Sequence, residues 1–320
     1  MREQLQIANA SALATVRQLL QRGAEFLSGA GVESARLDAE LLLSRLLGWS
    51  REELWLKDQA LVEAAQMRRF EFALRRRARR EPIAHITGVK EFWSLDFVVG
   101  PEVLVPRPET ELLVEVAIGL LNDRKRDSLP PLSLPLGKGE IKRGCAERTP
   151  KILDLGTGSG AIAVSLAREP GDVAIWASDV SQEALEVAQA NARRHGVQDR
   201  IRFVEGDLFE PVRDRSGFFQ MIVSNPPYIR RGEFAALPRE IRDFEPRIAL
   251  DGGLDGLDFY RRIIEQGQCP LAPGGFMALE IGADMADEVC QLFSVVGCYS
   301  RASVYRDYSG QDRAVVARKL

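Results

Sequence analysis

The chain has 320 residues, a length typical of two domains, and its 45% hydrophobic and 28% charged residues are ordinary for globular proteins. This composition excludes a collagen-like, a wholly disordered and a disulfide-stapled chain. With 43 basic and 46 acidic residues the formal net charge is −3, which argues against a protein that coats nucleic acid nonspecifically.

The cysteines and histidines form no metal-binding pattern. The four cysteines include no CxxC pair, and only two histidines could join them. No stretch reaches the roughly 18 apolar residues that a membrane helix needs, and the N-terminus lacks the apolar core of a signal peptide. The sequence therefore predicts a soluble, cytoplasmic protein with reduced thiols, no metal and no membrane contact.

Residues 1–88 are predicted to form a small helical domain. Leucines repeat at helical spacing around 13–20 and 37–47, Gly48 follows where the second helix would end, and an amphipathic stretch covers 62–80. No strand pattern interrupts these helices. Seven arginines in the third helix have three open interpretations: a solvated face, steering of an acidic protein partner, or phosphate contact. They are Arg68, Arg69, Arg75, Arg76, Arg77, Arg79 and Arg80.

Residues 89–108 are predicted to form a β-hairpin linker to a second domain at 109–320. The extended stretches 91–99 and 103–105 flank Gly100-Pro101, a turn-like pair.

Residues 122–150 are rich in proline and basic residues and exceed the ~12–15 residues of an ordinary loop. We expect this segment to be a flexible insertion.

From Lys151 onward, predicted strands and helices alternate, which indicates a parallel α/β sheet. The last two strands are joined only by residues 307–311, too short for a crossover helix, so they must be antiparallel. The expected fold is therefore a seven-stranded, mostly parallel sheet that ends in an antiparallel hairpin. The strands are predicted at 151–155, 173–179, 201–207, 220–225, 274–281, 298–306 and 312–318, and the helices at 160–168, 181–195, 257–269 and 283–296.

A glycine-rich motif joins the first of these strands to a helix: Asp154-Leu155-Gly156-Thr157-Gly158-Ser159-Gly160. Glycines there permit positive φ and a close ligand, and the helix N-terminus offers unpaired N–H groups. A dinucleotide fingerprint would need G-x-G-x-x-G, whereas these glycines are two apart. The form DxGxGxG resembles the S-adenosylmethionine loop of class I methyltransferases. The other interpretation is a glycine-rich turn without a ligand.

Two acids follow the next two predicted strands. Asp179 lies about 20 residues after the glycines, where a carboxylate can accept both ribose hydroxyls of NAD or S-adenosylmethionine, or instead cap the next helix. Asp207 and Leu208 follow the third strand. The resemblance implies that Asp207 bonds the adenine amine and Leu208 covers the ring, at a position that is often aromatic. A Gly-Asp pair is also common in turns.

The fourth predicted strand ends in Asn225-Pro226-Pro227-Tyr228, the NPPY loop. Ligands of open α/β sheets bind at the carboxyl ends of strands, so this loop faces the same crevice as the glycines. Neither proline carries an N–H, and Pro226 keeps Asn225 out of the α region. The loop thus offers two acceptors, the Asn225 amide oxygen and the Pro226 carbonyl, beside an aromatic face. A structural Pro-Pro turn is the other interpretation.

Two such acceptors can hold one –NH₂ group whose lone pair is delocalised and aim the nitrogen at a sulfonium methyl. No general base is needed before attack, because the proton leaves after methyl transfer. The motif alone leaves the substrate open, since adenine N6, cytosine N4 and the glutamine side-chain amide all carry a conjugated –NH₂.

Segments 82–88, 103–111, 245–257 and 307–313, together with NPPY, resemble the HemK/PrmC protein-glutamine methyltransferases. The resemblance implies a class I methyltransferase fold with S-adenosyl-L-methionine as cofactor and an N-terminal helical domain that helps dock the substrate. It implies methylation of the glutamine N5 in the Gly-Gly-Gln motif of class 1 peptide chain release factors.

By position, the resemblance assigns the substrate glutamine to Asn225, Pro226, Pro227 and Tyr228, with Asn225, Pro226 and Tyr228 catalytic. It assigns the cofactor to Gly156, Thr157, Gly158, Ser159, Gly160, Asp179, Asp207, Leu208 and Asn225. Arg107 and Glu109 are expected to support the pocket.

Three alternatives stay open. A sister enzyme would methylate a glutamine of a ribosomal protein with the same NPPY chemistry. An N6-adenine methyltransferase acting on DNA or RNA is disfavoured by the slightly acidic charge and by the lack of a basic, aromatic-rich recognition domain. A cofactor-binding module that merely docks on a translation factor conflicts with an intact NPPY motif.

Overall fold

The computed structural model describes residues 14–127 and 149–320, and the chain divides into two compact units. The first unit contains the chain up to Val89 together with Leu237–Glu245. The second contains Lys90–Ala236 and Pro246–Leu320. Leu237–Glu245, which follow the NPPY loop in the chain, thus belong to the helical unit. The sequence had not indicated this grouping.

From Ala14 to Val89 the helical unit contains the three predicted helices and two shorter ones. Its elements before Val89 are β1 (Ala14–Thr15), α1 (Val16–Gly29), α2 (Ala35–Leu47), α3 (Arg51–Leu56), β2 (Leu61–Val62), α4 (Ala64–Ala78) and α5 (Ile83–Thr87). A capping box of Thr15 and Gln18 begins α1, and Gly48 ends α2 in the left-handed conformation. The expectation of no strands was wrong, because β1 pairs with β2 antiparallel. Two residues are too few to show an alternating pattern.

Fully buried leucines and one phenylalanine form the core of this unit, among them Leu19, Leu43, Leu54 and Phe70. These residues come from α1, α2, α3 and α4. The core therefore explains why the leucines repeat at helical spacing.

The arginines of α4 do not form one solvated face. Arg77 is buried, and its guanidinium donates to Asp38 at 2.6 Å and to Glu240 at 3.0 Å. A buried guanidinium needs such partners because its charge is otherwise costly to desolvate. Arg68 and Arg79 are exposed, so any role toward a partner falls to the outer arginines.

The predicted hairpin is formed by β3 (Val89–Phe92) and β4 (Leu95–Val98), and from Lys90 onward it belongs to the second unit. Its turn is Trp93-Ser94, with φ of 52° and 55°. A turn does follow at Gly100-Pro101, where the Val103 N–H donates to the Gly100 carbonyl at 3.3 Å. The second strand predicted at 103–105 was wrong, because β4 already ends at Val98. Polar contacts fix the turn: Trp93 donates from its backbone N–H to Glu111 at 2.8 Å and from its indole N–H to Glu169 at 2.7 Å.

The second unit contains the predicted α/β sheet. The remaining elements in chain order are α6 (Glu111–Asp127), β5 (Lys151–Leu155), α7 (Ala161–Arg168), β6 (Ala174–Asp179), α8 (Gln182–Arg194), β7 (Ile201–Glu205), β8 (Phe219–Ser224), α9 (Arg239–Arg242, in the segment of the helical unit), α10 (Asp258–Gly267), β9 (Leu271–Glu280), α11 (Ala286–Val296), β10 (Ser303–Arg306) and β11 (Asp312–Arg318). All seven strands and four helices predicted after Lys151 are confirmed, with ends shifted by up to five residues.

The sheet has the strand order β10-β11-β9-β8-β5-β6-β7. Strands β7, β6, β5, β8 and β9 are parallel, and β11 is antiparallel to both β9 and β10, as predicted. The chain runs from β5 outward through β6 and β7, then returns to β8 on the other side of β5. Such a switch point opens a crevice at the carboxyl ends of β5 and β8, where ligands of open α/β sheets bind.

Within the described residues, no helix is long and apolar enough to cross a membrane, and no three His, Cys, Asp or Glu side chains group as metal ligands. The predicted insertion at 122–150 lies mostly outside the described residues. Its first residues continue α6 to Asp127.

Candidate active site

The glycine loop leaves the end of β5 and leads into α7. Gly156, Gly158 and Gly160 have φ of 66°, 54° and 80°, a region that other residues adopt only with strain. Gly160 also lies against α8, where a Cβ would approach the Ala188 Cβ to 3.1 Å. All three positions therefore favour glycine for the turn, and Gly160 also for close packing.

A buried carboxyl at the end of β5 is hydrogen-bonded to this loop. Asp154 is fully buried and accepts a hydrogen bond from the Thr157 hydroxyl at 2.6 Å. Burial raises the pKa of Asp154 to about 7, although the Thr157 bond opposes that shift. Thr157 thus faces Asp154, and the Ser159 carbonyl accepts from Asn191 of α8 at 2.8 Å.

Asp179 connects the glycine loop to the start of α8. One carboxylate oxygen accepts from the Gly158 N–H at 2.9 Å and the other from the Ser181 N–H at 3.0 Å. Each carboxylate oxygen has a further lone pair, so the side chain can still accept hydroxyl groups from a ligand. The contacts hold the carboxylate in a fixed orientation at the end of β6.

The acidic loop after β7 contains one unusual backbone residue. Leu208 has φ of 48°, and Asp207 forms an ion pair with Arg262 of α10. The guanidinium of Arg262 also lies 5.8 Å from the centroid of the Phe259 ring. Phe259 lines the same cavity as Leu208, so α10 supplies an aromatic side chain that the sequence analysis did not identify.

The NPPY loop follows β8 beside the glycine loop. The hydroxyl of Ser224, the last residue of β8, donates to the Leu155 carbonyl at 2.8 Å and so ties the ends of β8 and β5 together. The Asn225 side chain donates from Nδ2 to the Thr110 hydroxyl at 3.2 Å. The far end of the loop is bonded through Ile229, whose N–H donates to the Leu250 carbonyl at 2.9 Å.

Gly252 packs directly on the backbone of the NPPY loop. A Cβ at this position would lie 2.6 Å from the Tyr228 Cα. Its N–H donates to the Ile229 carbonyl at 3.0 Å. The close approach explains a glycine in the Asp251-Gly252-Gly253 stretch, a role that the sequence analysis had not assigned.

Tyr228 is half-buried and packs against the core of the α/β unit. Burial raises the pKa of its phenol to about 12, and the charge of Glu280 adds to the shift. The side chain is therefore neutral at physiological pH and can offer a ring face or a hydroxyl, but not a base.

These loops surround one cavity of about 190 Å³. Its wall includes residues of the glycine loop, the acidic loops and the NPPY loop, together with Glu102–Leu104, Pro246, Ile248 and Phe259. The predicted site residues on this wall are Gly156, Gly158, Asp179, Asp207, Leu208, Asn225, Pro226 and Pro227. The other predicted site residues do not line the cavity; they are Thr157, Ser159, Gly160 and Tyr228.

The wall has the chemistry that S-adenosylmethionine requires. Carboxylates at Asp179 and Asp207 can accept ribose hydroxyls and an amine, and the apolar Leu208, Ile248 and Phe259 can contact a flat base. The residues present therefore fit that cofactor.

Two family models match the chain. Residues 18–88 match the PrmC N-terminal domain, and residues 143–241 match the methyltransferase small domain. The chain is 39% identical to the release factor glutamine methyltransferase of Geobacter sulfurreducens, over 95% of this chain and 96% of that protein. It is 40% identical to that of Moorella thermoacetica, over 95% of this chain and 98% of that protein.

Among solved structures, the fold is similar to the hMettl16 catalytic domain, solved in complex with MAT2A 3'UTR hairpin 6. The TM-score is 0.52 and the identity 13%, over 81% of this chain and 84% of that one. At this identity the likeness concerns the fold alone, and it agrees with the class I methyltransferase sheet order.

Proposed function

The chain belongs to the release factor glutamine methyltransferase family, and on that premise we propose that it methylates class 1 peptide chain release factors. The methyl group of S-adenosylmethionine is transferred to the side-chain N5 of the glutamine in the Gly-Gly-Gln motif. The main support from the structure is that Asn225, Pro226 and Pro227 line the same cavity as Gly156, Gly158 and Asp179.

The cofactor side of the site is assigned as follows. The glycine loop, Gly156 to Gly160, receives the methionine and ribose portion, and Asp179 accepts the ribose hydroxyls. Asp207 accepts from the adenine amine, while Leu208 and Phe259 contact the ring. When bound, the cofactor supplies an electrophilic methyl group on a sulfonium sulfur.

The NPPY loop holds the substrate amide. Asn225 Oδ1 and the Pro226 carbonyl accept the two N–H bonds of the glutamine –NH₂, and the Tyr228 side chain supports the loop. This arrangement points the nitrogen lone pair toward the methyl group and favours its withdrawal from amide conjugation. As the nitrogen gains positive charge, the two oxygen dipoles stabilise it more than in the ground state. The proton leaves the nitrogen after transfer.

The helical unit is the proposed docking surface for the release factor. The exposed Arg68, Arg69 and Arg79 are available to steer an acidic surface, whereas Arg77 is committed to Asp38. Neither a metal, a membrane nor a nucleic acid is needed for the reaction. The proposal implies a cytoplasmic location, since the substrate acts in translation.

The proposal is tested by transfer of labelled methyl from S-adenosylmethionine to purified release factor. Parallel reactions contain a Gly-Gly-Gln→Gly-Gly-Ala release factor, ribosomal proteins, and DNA or RNA. We expect label on the unaltered release factor and none on the Gly-Gly-Ala variant. Label on a ribosomal protein or a nucleic acid instead would contradict the proposed substrate while leaving the cofactor and the NPPY chemistry in place.

An enzyme variant tests the role of the NPPY loop. Asn225→Ala removes the amide acceptor and should lower the rate of transfer by about 10²–10³-fold, as expected for one lost transition-state contact. Gln198→Ala removes an exposed amide outside the cavity and is the matched control. Equal methyl transfer by Asn225→Ala and the control would contradict the role of Asn225, whereas no transfer by the unaltered chain would favour a binding module without catalysis.

A further inference from the structure

A buried polar chain lies behind the NPPY loop, outside the assigned site residues. Strand β9 runs parallel to β8 with Ser224 opposite Leu279, so Asn225, just after β8, and Glu280, the last residue of β9, follow that pair. Glu280 is buried at 1% exposure, and the Thr110 side chain beside it at 4%. Buried polar groups of this kind are costly unless they bond to one another.

The hydrogen bonds in this chain have a defined direction. A hydrogen bond from the Thr110 hydroxyl to the Glu280 carboxyl is one of the influences that lower the pKa of Glu280, against the larger effect of burial. The same hydroxyl oxygen accepts from Asn225 Nδ2 at 3.2 Å. A hydroxyl has a single proton to donate, so a Thr110 that donates to a carboxylate can only accept from its other neighbour.

This direction decides which end of the Asn225 amide faces Thr110. The two ends of an asparagine amide have nearly the same shape and differ only in whether they donate or accept. With Nδ2 committed to Thr110, Oδ1 is the end left for a donor from the cavity. The reverse orientation would present an –NH₂ group to the substrate –NH₂, and two donors cannot bond.

We propose that Thr110 and Glu280 are positioning residues that hold the Asn225 amide with its oxygen toward the substrate nitrogen. The inference rests on the proposed function, because only an amine-bearing substrate requires that orientation. The sequence analysis expected Arg107 and Glu109 to support the pocket. The inference gives a supporting role to Thr110, which bonds Asn225 of the NPPY loop.

Charged groups from several elements face Glu280. Burial raises the pKa of its carboxyl to about 7, while the Thr110 bond and Arg313 act in the opposite direction. One oxygen, Oε2, has no hydrogen-bond partner among the described residues. The surrounding titratable and charged groups are Arg107 and Glu109 before α6, Tyr228 after β8, Tyr260 of α10 and Arg313 of β11.

The ionised form of Glu280 is the one that fixes the direction. A carboxylate only accepts, whereas a protonated carboxyl can donate to Thr110 and free the threonine proton for Asn225. The kcat of the unaltered enzyme should therefore rise with pH through about 7. Saturating cofactor is used, so that weaker cofactor binding from titration of Asp154, the other buried carboxyl of the site, does not contribute.

The test compares Thr110→Val, which keeps the shape but lacks the hydroxyl, with Thr110→Ser, which keeps the hydroxyl. We expect Thr110→Val to lower kcat on the release factor about 10- to 100-fold, the size of a misplaced catalytic contact. Thr110→Ser should recover most of that loss. The Kd for S-adenosylmethionine, measured by calorimetry, should stay within about twofold for both variants, because Thr110 does not line the cavity.

Glu280→Gln supplies a second, independent measurement should Thr110→Val not fold. Its kcat should be lower and should no longer rise through pH 7. A normal rise in Glu280→Gln, or a kcat of Thr110→Val within twofold of the unaltered enzyme, would overturn the inference alone. Failure of the unaltered enzyme to label the release factor would overturn the proposed function and this inference with it.

Discussion

Replacement of Gly252 by alanine tests whether the NPPY loop must hold its exact backbone position. The new Cβ would lie 2.6 Å from the Tyr228 Cα, 2.8 Å from its carbonyl carbon and 2.9 Å from the Pro227 oxygen. All three are backbone atoms, so no side-chain rotation can relieve the contact. Gly252 is not among the glycines with positive φ, and the effect is therefore steric rather than a matter of backbone conformation.

The size of the effect follows from the overlap. Ordinary van der Waals contact begins near 3.4 Å, so the NPPY loop and the Gly252 segment must separate by about 0.8 Å. Overpacking of this kind destabilises a protein by about 1–3 kcal/mol. A displacement of ~1 Å at a reacting group can lower the rate about 100-fold. We expect Gly252→Ala to fold and to lose most of its kcat/KM.

The matched control is Gly232→Ala, in the same connection between β8 and α10. A Cβ there meets no atom within 4 Å, and its φ is not positive. Both variants are assayed for methyl transfer to the release factor and for thermal unfolding. If Gly252→Ala keeps the kcat/KM of the control, the loop tolerates displacement, and the argument for a rigidly held amide is refuted.

Three further outcomes follow from buried or bonded charges. Arg77→Ala leaves the buried Asp38 without its cationic partner and should lower the free energy of unfolding by about 3–5 kcal/mol in urea titration, against ~0.5 or less for the exposed Arg79→Ala. Asp179→Asn should weaken S-adenosylmethionine binding roughly 10- to 100-fold by calorimetry, as expected for lost bonds to a charged group. Burial raises the pKa of Asp154 from 3.8 to about 7, so the protonated carboxyl favours the folded state. That contribution is complete below pH 3.8 and is lost as the pH rises through 7, so Asp154→Asn should gain melting temperature relative to the unaltered chain over this window.

The sheet could be predicted from the sequence because its signals are local. Most strands are short apolar or alternating runs, and the connection at 307–311 is too short for a helix, so the strands and the final reversal follow from local patterns and spacing. The glycine spacing and the NPPY motif are local signals too, and they indicate the loops at the switch point of the sheet. Local patterns of this kind do not depend on which distant residues pack against them.

The parts that could not be predicted depend on long-range packing. The hairpin turn lies at Trp93-Ser94 because Glu111 and Glu169 bond the tryptophan, whereas Gly100-Pro101 has the stronger local turn signal. Likewise, Phe259 lines the cavity from a helix that lies about 50 residues after the acidic loop. No sequence period indicates which helix residue will meet a loop that far away.

The NPPY loop shows why such distant residues matter for the chemistry. Its two prolines have no N–H, which leaves a bare carbonyl for the substrate but also removes the donors that would tie the loop to its surroundings. The bonds that hold the loop must then come from its two ends. Thr110 accepts from the Asn225 side chain at one end, while Ile229 bonds Leu250 and Gly252 at the other. The same feature that suits the motif to an –NH₂ substrate therefore makes its geometry depend on segments far away in the chain.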